Sequence, residues 1–343
     1  MEPFGVGYNT ISIGFPVTSW TGHQNRIPQD NRRLRIFSGT SNPTLANEIA
    51  DYLGVPGGPK VCKHFADGEL YIQIQESIRG CDVFLIQPTC APVNDNIMEL
   101  LIMADACRRA SARQITAVMP YYGYARADRK TAGRESITAK LIANLLVQSG
   151  VNRVLAMDLH SAQIQGYFDI PCDHIYGSPV MVDYLYTRKL KDMVIVSPDV
   201  GGVARARAFA KQMNDAPLAI IDKRRSAHNV AESLTVIGDV RGKTAVLIDD
   251  MIDTAGTICQ GARLLKRRGA ASVIACATHA VLSHPAIERL SEEGLFEEIL
   301  VTNSIPISSE RRFPQLQVLS VANMLGEAIW RIHEESSVSS MFR

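Results

Sequence analysis

The chain has 343 residues, and its 36 Lys and Arg are balanced by 35 Asp and Glu, giving a formal net charge of +1. This balance provides no long-range attraction to a polyanion, which argues against general nucleic-acid binding. Hydrophobic residues make up 46% and charged residues 21%, an ordinary globular composition, and the length suggests two domains of roughly 150 residues each. No apolar run approaches the ~18 residues of a transmembrane helix, so we expect no membrane association.

The cysteines and residues 1–33 indicate the cellular compartment in which the protein is located. The seven cysteines are odd in number, dispersed and without a CxxC spacing, which argues against a disulfide framework and against a thiolate zinc site. Residues 1–33 have their first basic residue at Arg26 and no continuous apolar run, so they do not read as a secretory signal. We therefore expect a reducing cytoplasm, and we expect residues 1–33 to be a disordered extension, because they are rich in Gly, Pro, Thr, Asn and Gln.

From Leu34 to about His333, short apolar strands alternate with amphipathic helices. This alternation predicts parallel sheets covered on both faces by helices. The clearest predicted strands are Leu34–Phe37, Val83–Gln87, Ile115–Met119, Val154–Met157, Val194–Val196, Leu218–Ile221, Ala245–Ile248, Val273–Ala277 and Ile299–Val301, and the clearest helices are Asn94–Arg109, Ile137–Gln148, Gly202–Met213, Thr254–Arg268 and Ala322–Glu334. Residues Lys60–Gln75 predict an antiparallel hairpin with a polar tip, Phe65 to Glu69.

The alternation covers two units of similar length, and the chain passes from one to the other around Ile170 to Cys172. The fold class is therefore α/β, with two domains that each contain a mainly parallel sheet flanked by helices, and with a small antiparallel hairpin. We place the first domain at residues 34–171 and the second at 172–335, followed by a polar tail at 336–343.

The strongest motif follows the apolar strand Ala245–Ile248. Asp249 and Asp250 end this strand, and small and hydroxyl residues from Asp253 to Thr257 then open a helix. Small residues allow backbone N–H groups to close around a phosphate at a helix N-terminus. The acids would repel a phosphate, but carboxylates accept hydrogen bonds from vicinal hydroxyls, so the combination points to a ribose phosphate. A capped helix after a strand is the structural alternative.

This loop resembles the phosphoribosyl-diphosphate binding loop of the type I phosphoribosyltransferase fold, and the rest of the chain resembles the class I ribose-phosphate diphosphokinase family. The resemblance extends from about Leu34 to the C-terminus. It rests on ordered motifs at Phe65–Glu69, Pro120–Arg126, Asp158–His160, Gln163–Gly166, Ser197–Asp199 and Asp222–Glu232. It implies transfer of the diphosphoryl group of Mg-ATP to the 1-hydroxyl of ribose 5-phosphate, with AMP leaving. The first domain would bind ATP and the second ribose 5-phosphate.

The resemblance assigns roles to individual residues. Lys223 would be the catalytic cation, and a mobile loop is expected to carry it because polar residues follow the strand Leu218–Ile221. The resemblance implies ribose 5-phosphate contacts at Arg225, Asp249, Asp253, Thr254, Ala255, Gly256 and Thr257, ATP contacts at Phe65, Asp67, Gly68, Glu69, Arg126 and Ala127, and Mg2+ ligands at His160 and Asp199. Both metal ligands follow predicted strands, at the sheet edge where open α/β sheets bind ligands.

Two positions depart from the family pattern. Relatives often carry a glutamine where this chain has Ala127, and many bacterial relatives carry an arginine where it has Ala227. The supporting charge of that arginine is either absent here or comes from His228. The resemblance further implies a homohexamer and a regulatory phosphate or ADP site that the tail Ser336–Phe342 helps to form. The basic segment Arg126–Arg134 is either a regulatory anion site or a solvated loop.

Other functions fit less well. Gly238–Thr244 looks like a Walker A loop, but only three residues separate its glycines and it precedes its strand, so a P-loop NTPase is disfavoured. No GxGxxG follows a strand, which leaves a dinucleotide-dependent dehydrogenase unsupported. A base phosphoribosyltransferase would share the loop after Asp249 but lacks the second domain and the hairpin. A catalytically dead regulatory subunit should lose the cationic loop or the His160 and Asp199 pair, and both are present.

Overall fold

The structure, a computed structural model, describes residues 33–224 and 233–342. The predicted extension therefore lies, apart from Arg33, outside the described residues. In chain order the elements are β1 (Leu34–Ser38), α1 (Pro43–Leu53), β2 (Lys60–His64), β3 (Leu70–Ile74), β4 (Asp82–Ile86), α2 (Val93–Arg109), β5 (Gln114–Met119), α3 (Thr138–Ser149), β6 (Arg153–Met157), β7 (Cys172–Ile175), α4 (Ser178–Arg188), β8 (Met193–Ser197), α5 (Val203–Gln212), β9 (Leu218–Arg224), β10 (Ser233–Ile237), β11 (Thr244–Ile252), α6 (Gly256–Arg267), β12 (Ser272–Ala280), α7 (Ala286–Leu290), β13 (Glu298–Thr302), β14 (Leu316–Leu319) and α8 (Ala322–His333).

The strands form two large sheets and one hairpin. The first sheet has the order β1-β4-β5-β6-β7, and all its neighbouring strands are parallel. The second has the order β10-β9-β8-β11-β12-β13-β14, and only its β9–β10 pair is antiparallel. Strands β2 and β3 form the predicted antiparallel hairpin. The predicted α/β fold class is confirmed, with no membrane-spanning helix among the described residues.

The described chain divides into two compact units. The N-terminal unit comprises residues 33–177, 304–307 and 321–342, and the C-terminal unit comprises 178–303 and 308–320, apart from the undescribed residues 225–232. The main boundary lies a few residues after the expected one at 171, because β7 adds to the edge of the first sheet beside β6. The location of helix α8 differs more from the expected one. The sequence places α8 in the second domain, whereas in the structure it packs with the N-terminal unit.

Close contact with α1 explains the location of α8. An ideal Cβ on Gly326 would lie 2.4 Å from Cδ1 of Tyr52, so the absence of a side chain allows the two helices to approach. The Tyr52 hydroxyl donates a hydrogen bond to Glu327 Oε2 at 3.1 Å, and Arg331 Nε lies 2.7 Å from Glu327 Oε1. Contacts between residues almost three hundred positions apart in the chain are invisible to a local pattern. This explains why the sequence assigned α8 to the nearer domain.

The end of α8 is joined to the first sheet through a buried carboxylate. Asp82, which begins β4 and is 2% exposed, accepts hydrogen bonds from Arg113 Nε at 2.7 Å and from His333 Nδ1 at 2.8 Å. Burial alone would raise the pKa of Asp82, but the hydrogen bonds from His333 and Arg113 outweigh it and lower the pKa to about 2. The carboxylate therefore stabilises the N-terminal unit in its charged form.

Replacing Asp82 with Asn should lower the free energy of unfolding of the N-terminal unit by about 2 kcal/mol at pH 7. Because the folded-state pKa lies below the unfolded value, this stabilisation is present above about pH 4 and is lost as the pH falls towards 2. Urea denaturation at pH 7 and pH 3 measures both effects. The difference in free energy of unfolding between the wild type and Asp82→Asn should be smaller at pH 3 than at pH 7. Asp105→Asn, which removes an exposed pair with Arg109 on α2, is the control. Equal losses in the two variants would contradict the prediction.

Candidate functional site

The small-residue loop lies between β11 and α6, at the carboxyl end of the second sheet. Ala255 has φ +60° and ψ +7° and immediately precedes the helix, and its carbonyl accepts a hydrogen bond from Cys259 N at 3.1 Å. The first amides of a helix have no intrahelical acceptor and point along the helix axis. In α6 these amides belong to Gly256 and Thr257, as the sequence predicts for an anion cradle.

The acidic pair lies in the C-terminal half of β11, which does not end at the acids as expected but continues to Ile252, because β12 pairs with it that far. Asp249 is partly exposed, whereas Asp250 is buried, and Asp249 Oδ1 accepts a hydrogen bond from Asp250 N at 2.9 Å. Burial, followed by the neighbouring charge of Asp250, raises the pKa of Asp249 to about 7. Arg205 opposes this shift, since its Nη1 lies 3.8 Å from Asp249 Oδ1 and 3.6 Å from Asp250 Oδ1. Burial and the charge of Asp250 together thus hold the pKa of Asp249 well above the usual range of a carboxyl group.

The cationic segment begins inside a strand. β9 extends to Arg224 because β10 pairs with it in antiparallel register, with Leu234 opposite Lys223 and Ser233 opposite Arg224. The expectation that Lys223 lies on a loop after Ile221 is therefore wrong for its backbone. Arg225, together with Ala227 and His228, lies outside the described residues.

The two predicted metal ligands lie in different units. Asp199 follows β8 and is exposed, and its Oδ1 accepts a hydrogen bond from Gly202 N at 2.7 Å, just before α5. His160 follows β6 and is also exposed. Within residues 33–224 and 233–342, no three His, Cys, Asp or Glu side chains form a group that could hold a metal.

The hairpin tip is built as a compact polar turn. Phe65 N donates to Glu69 O at 2.8 Å, Gly68 N donates to Phe65 O at 3.0 Å, and Glu69 N donates to Asp67 Oδ1 at 3.1 Å. Gly68 has φ +94°, a conformation that glycine adopts without steric cost. The Phe65 ring is 49% exposed and packs edge-on against Tyr71, with ring centroids 5.9 Å apart. An aromatic ring this exposed is not part of the hydrophobic core.

Arg126 and Ala127 lie in the turn after β5. Tyr124 has φ +62°, its carbonyl accepts a hydrogen bond from Ala127 N at 2.9 Å, and its hydroxyl donates to Asn94 Oδ1 at 2.6 Å. These bonds fix the turn to the beginning of α2. Arg126 is exposed, so the turn presents its guanidinium at the carboxyl edge of the first sheet.

Sequence reasoning missed residues that position the predicted ones. His174 on β7 accepts a hydrogen bond at Nε2 from Leu159 N at 3.0 Å and so holds the backbone beside His160. Asp158 belongs to the motif Asp158–His160, but the motif does not indicate its contact: its Oδ2 accepts a hydrogen bond from Gly177 N at 2.7 Å, across the same pair of strands. Arg205 lies on α5 but reaches the acids of β11. A strand pairing brings the first two contacts together, and helix packing brings the third, so no local motif signals them.

Comparison with known proteins matches this geometry. Residues 34–150 match the family model for the N-terminal domain of ribose phosphate pyrophosphokinase, and residues 223–343 match the phosphoribosyl synthetase-associated domain. The "Ribose-phosphate pyrophosphokinase" of Prochlorococcus marinus (strain MIT 9313) is 83% identical over 95% of this chain and 98% of that protein. The protein of the same name from Synechococcus elongatus (strain ATCC 33912 / PCC 7942 / FACHB-805) is 78% identical over 92% of this chain and 95% of that protein.

A solved structure agrees over most of the chain. The crystal structure of phosphoribosylpyrophosphate synthetase from Mycobacterium smegmatis superposes with a TM-score of 0.84 at 45% identity, covering 89% of this chain and all of that one. These matches and the two mainly parallel sheets define an α/β enzyme, as the sequence predicts. More specifically, the chain belongs to the ribose-phosphate pyrophosphokinase family. It is therefore a transferase of nucleotide biosynthesis.

The strained residue of the loop gives a test of its geometry. Ala255→Gly should stay within about 1 kcal/mol of the wild-type stability, because glycine adopts a positive φ freely. Ala255→Val should destabilise the C-terminal unit by about 1–2 kcal/mol, since a β-branched side chain is disfavoured there. Chemical denaturation measures both, with Ala204→Val on the exposed side of α5 as a control for helix propensity. An Ala255→Val protein as stable as this control would contradict the left-handed conformation.

Proposed function

We propose that the chain transfers the diphosphoryl group of Mg-ATP to the 1-hydroxyl of ribose 5-phosphate, giving 5-phospho-α-D-ribose 1-diphosphate and AMP for nucleotide biosynthesis. The observation that carries the proposal is the loop from β11 to α6, where Asp249 stands next to an anion cradle at a helix N-terminus. A monophosphate alone would not need the acids, and a diol alone would not need the cradle. A sugar phosphate needs both.

In this proposal the C-terminal unit binds ribose 5-phosphate. The amides of Thr254, Ala255, Gly256 and Thr257 hold the 5-phosphate, and the carboxylates of Asp249 and Asp253 accept hydrogen bonds from the ribose hydroxyls. Half-buried acids favour a diol over a phosphate, because a second negative charge would be repelled in a poorly solvated site. Arg225 adds a phosphate contact, as the family resemblance implies.

The N-terminal unit binds ATP in this proposal. The exposed ring of Phe65 offers a surface on which adenine can stack, while Asp67 and Glu69 supply acceptors for its amino group around Gly68. Arg126 contacts the polyphosphate. Ala127 contributes only its backbone, because a methyl group has no donor for the nucleotide.

Mg2+ is the metal ion that the family implies. Of its two expected ligands, Asp199 offers the oxygen atoms that Mg2+ prefers, and His160 offers a nitrogen atom. Asp199 is an exposed carboxylate with one oxygen engaged by Gly202, and His160 is an exposed imidazole. Mg2+ prefers oxygen ligands and keeps several waters, so a site that shares the ion with polyphosphate oxygens suits these two residues better than a closed protein cage. When bound, the ion would neutralise charge on the polyphosphate.

Lys223 would act on the transferring group. Transfer of a diphosphoryl group spreads negative charge over oxygens that are already anionic, and a fixed ammonium stabilises that charge most where water is excluded. Its backbone position in β9 supports this role, since a residue in a paired strand is held more rigidly than one in a loop. The carboxyl ends of β9 and β11 lie on the same side of the second sheet, because β8 is parallel to both strands.

The oligomeric state and the cellular location of the protein stay predictions. We propose a homohexamer with a regulatory phosphate or ADP site, and the apolar side chains exposed on α2 and α3 support self-association: Met98 is 52%, Leu141 51% and Leu145 41% exposed. All seven cysteines are described and carry free thiols, which supports a cytoplasmic location.

Incubation with Mg-ATP and ribose 5-phosphate tests the proposal directly, with inorganic phosphate added as a potential activator. Formation of AMP in equal amounts with the sugar diphosphate is the expected result. Absence of AMP would favour a regulatory subunit. Reaction of the sugar diphosphate with a free base would instead favour a base phosphoribosyltransferase.

Lys223→Ala should lower kcat by about 10^3- to 10^5-fold while both KM values change little, because the ammonium acts mainly in the transition state. Lys223→Arg should recover only part of the rate, since a planar guanidinium does not replace a compact ammonium. Steady-state kinetics with both substrates measures these effects. If Lys223→Ala retained more than about a tenth of the wild-type kcat, the catalytic role would pass to Arg224 or Arg225.

Asp249→Asn should raise the KM for ribose 5-phosphate far more than the KM for ATP, because only the sugar uses this carboxylate. In the wild type, kcat/KM for ribose 5-phosphate should fall as the pH is lowered through about 7, since the raised pKa leaves Asp249 protonated below it. Asp249→Asn should lose this pH dependence of kcat/KM. A pH dependence that arises from ionisation of the substrate's own phosphate should remain. A defect selective for ATP would assign the acid to the nucleotide instead.

A further inference from the structure

One arginine outside the predicted site holds the anion cradle from the side. Arg289 lies on the short helix α7, and its Nη1 donates a hydrogen bond to the Thr254 carbonyl at 2.9 Å. Thr254 immediately precedes the strained residue Ala255, so this bond fixes the peptide at which the chain turns from β11 into α6. Thirty-five positions of sequence separate Arg289 from Thr254, and no motif of the sequence analysis includes the arginine.

A second contact places the same guanidinium beside the helix N-terminus. An ideal Cβ on Gly256 would lie 3.4 Å from Nη1 of Arg289, an ordinary van der Waals distance, so the guanidinium lies beside the first residue of α6. The Cys259 thiol on α6 lies 3.5 Å from the Arg289 carbonyl and connects the backbones of the two helices. Arg289 is therefore tied to both sides of the cradle, to the loop before it and to the first turn after it.

The charge of Arg289 is available to the cradle. In the described part of the chain its guanidinium makes no ion pair, whereas the neighbouring acid Glu292 pairs with Arg263 and Glu288 lies 3.8 Å from His284. One Nη1 hydrogen bond leaves the other N–H groups of this exposed side chain for solvent or ligand. A cation at this place adds to the positive end of the helix dipole.

We propose that Arg289 is a positioning residue for the 5-phosphate of ribose 5-phosphate, which rests on the proposed function. It holds the Thr254–Gly256 backbone in the conformation that directs the cradle amides at the anion, and it places a positive charge at the edge of the cradle. Arg289 breaks and forms no bond in the reaction, so its effect belongs to binding of the sugar phosphate.

Arg289→Met, Arg289→Lys and the control Arg267→Ala test this role in the full-length protein. Arg267 is an exposed arginine in the last turn of the same helix α6, at the end opposite to the cradle. Arg289→Met should raise the KM for ribose 5-phosphate about 10- to 100-fold, the effect of losing a charge-assisted hydrogen bond. The KM for ATP should stay within about twofold. Arg289→Lys should recover part of the loss, because it restores the charge but not the planar donor set.

A measurement without substrate distinguishes positioning from a general loss of structure. Amide hydrogen exchange at residues 254–258 should be faster in Arg289→Met, while exchange in β11 and β12 and the melting temperature stay as in Arg267→Ala. Unchanged exchange in the loop, or a KM for ribose 5-phosphate within about twofold of the control, would overturn the role of Arg289. An equal rise in both KM values would also overturn it. A wild type that binds no ribose 5-phosphate and makes no AMP would instead overturn the proposed function, and this inference with it.

Discussion

The acidic pair in the C-terminal half of β11 is the constraint on which the C-terminal unit depends. β11 lies between β8 and β12, and its residues Ala245 to Ile248 are buried. Asp249 and Asp250 follow this buried run side by side, and the charge of Asp250 disfavours ionisation of Asp249. Arg205 supplies a positive charge beside both acids, and the helix N-terminus of α6 supplies another. The phosphate loop is thus part of the same electrostatic balance as the acids.

That balance explains why the loop is strained and externally supported. Ala255 holds a left-handed conformation that an alanine adopts at a cost, and it does so next to the first amides of α6. The loop has little side-chain surface of its own, since its residues are small. Its conformation therefore depends on contacts from other elements, such as the hydrogen bond from Arg289 to the Thr254 carbonyl. A small-residue loop can admit a ligand closely only because larger residues outside it provide the rigidity.

The N-terminal unit uses a different device, a buried carboxylate that joins distant segments. Asp82 at the start of β4 is bonded to Arg113 before β5 and to His333 at the end of α8. Nearer the start of the same helix, Glu327 accepts a hydrogen bond from the Tyr52 hydroxyl of α1. The last helix of the chain thereby completes the first unit, and the two ends of the described chain are linked in one fold. The hairpin and the turn at Arg126 are attached to the same core, since Ile72 and Ile74 of β3 pack against it and Ala125 is part of it.

Much of the fold and part of the site follow from local pattern. The alternation of apolar strands with amphipathic helices predicts the parallel sheets, because buried parallel strands require continuous apolar runs and crossover helices. The loop after Asp249 is recognisable because its chemistry lies within nine consecutive residues. Helix α1 was not among the clearest predictions, although Asn42 caps it and Gly54 ends it with φ +64°. The extension of β9 through Lys223 escaped prediction because pairing with β10, rather than hydrophobicity, creates it.

The sequence by itself determined which residues have the chemistry for a sugar phosphate, since donors, acceptors and small residues at fixed spacing are a property of the chain. Tertiary structure decided which groups support them. Arg205, His174 and Arg289 act on backbone or carboxylate atoms of other elements, and α8 packs with the unit farther from it in sequence. The physical reason is that hydrogen bonds and ion pairs act over a few ångströms of space. Sequence distance carries no information about such contacts until the strands are paired and the helices packed.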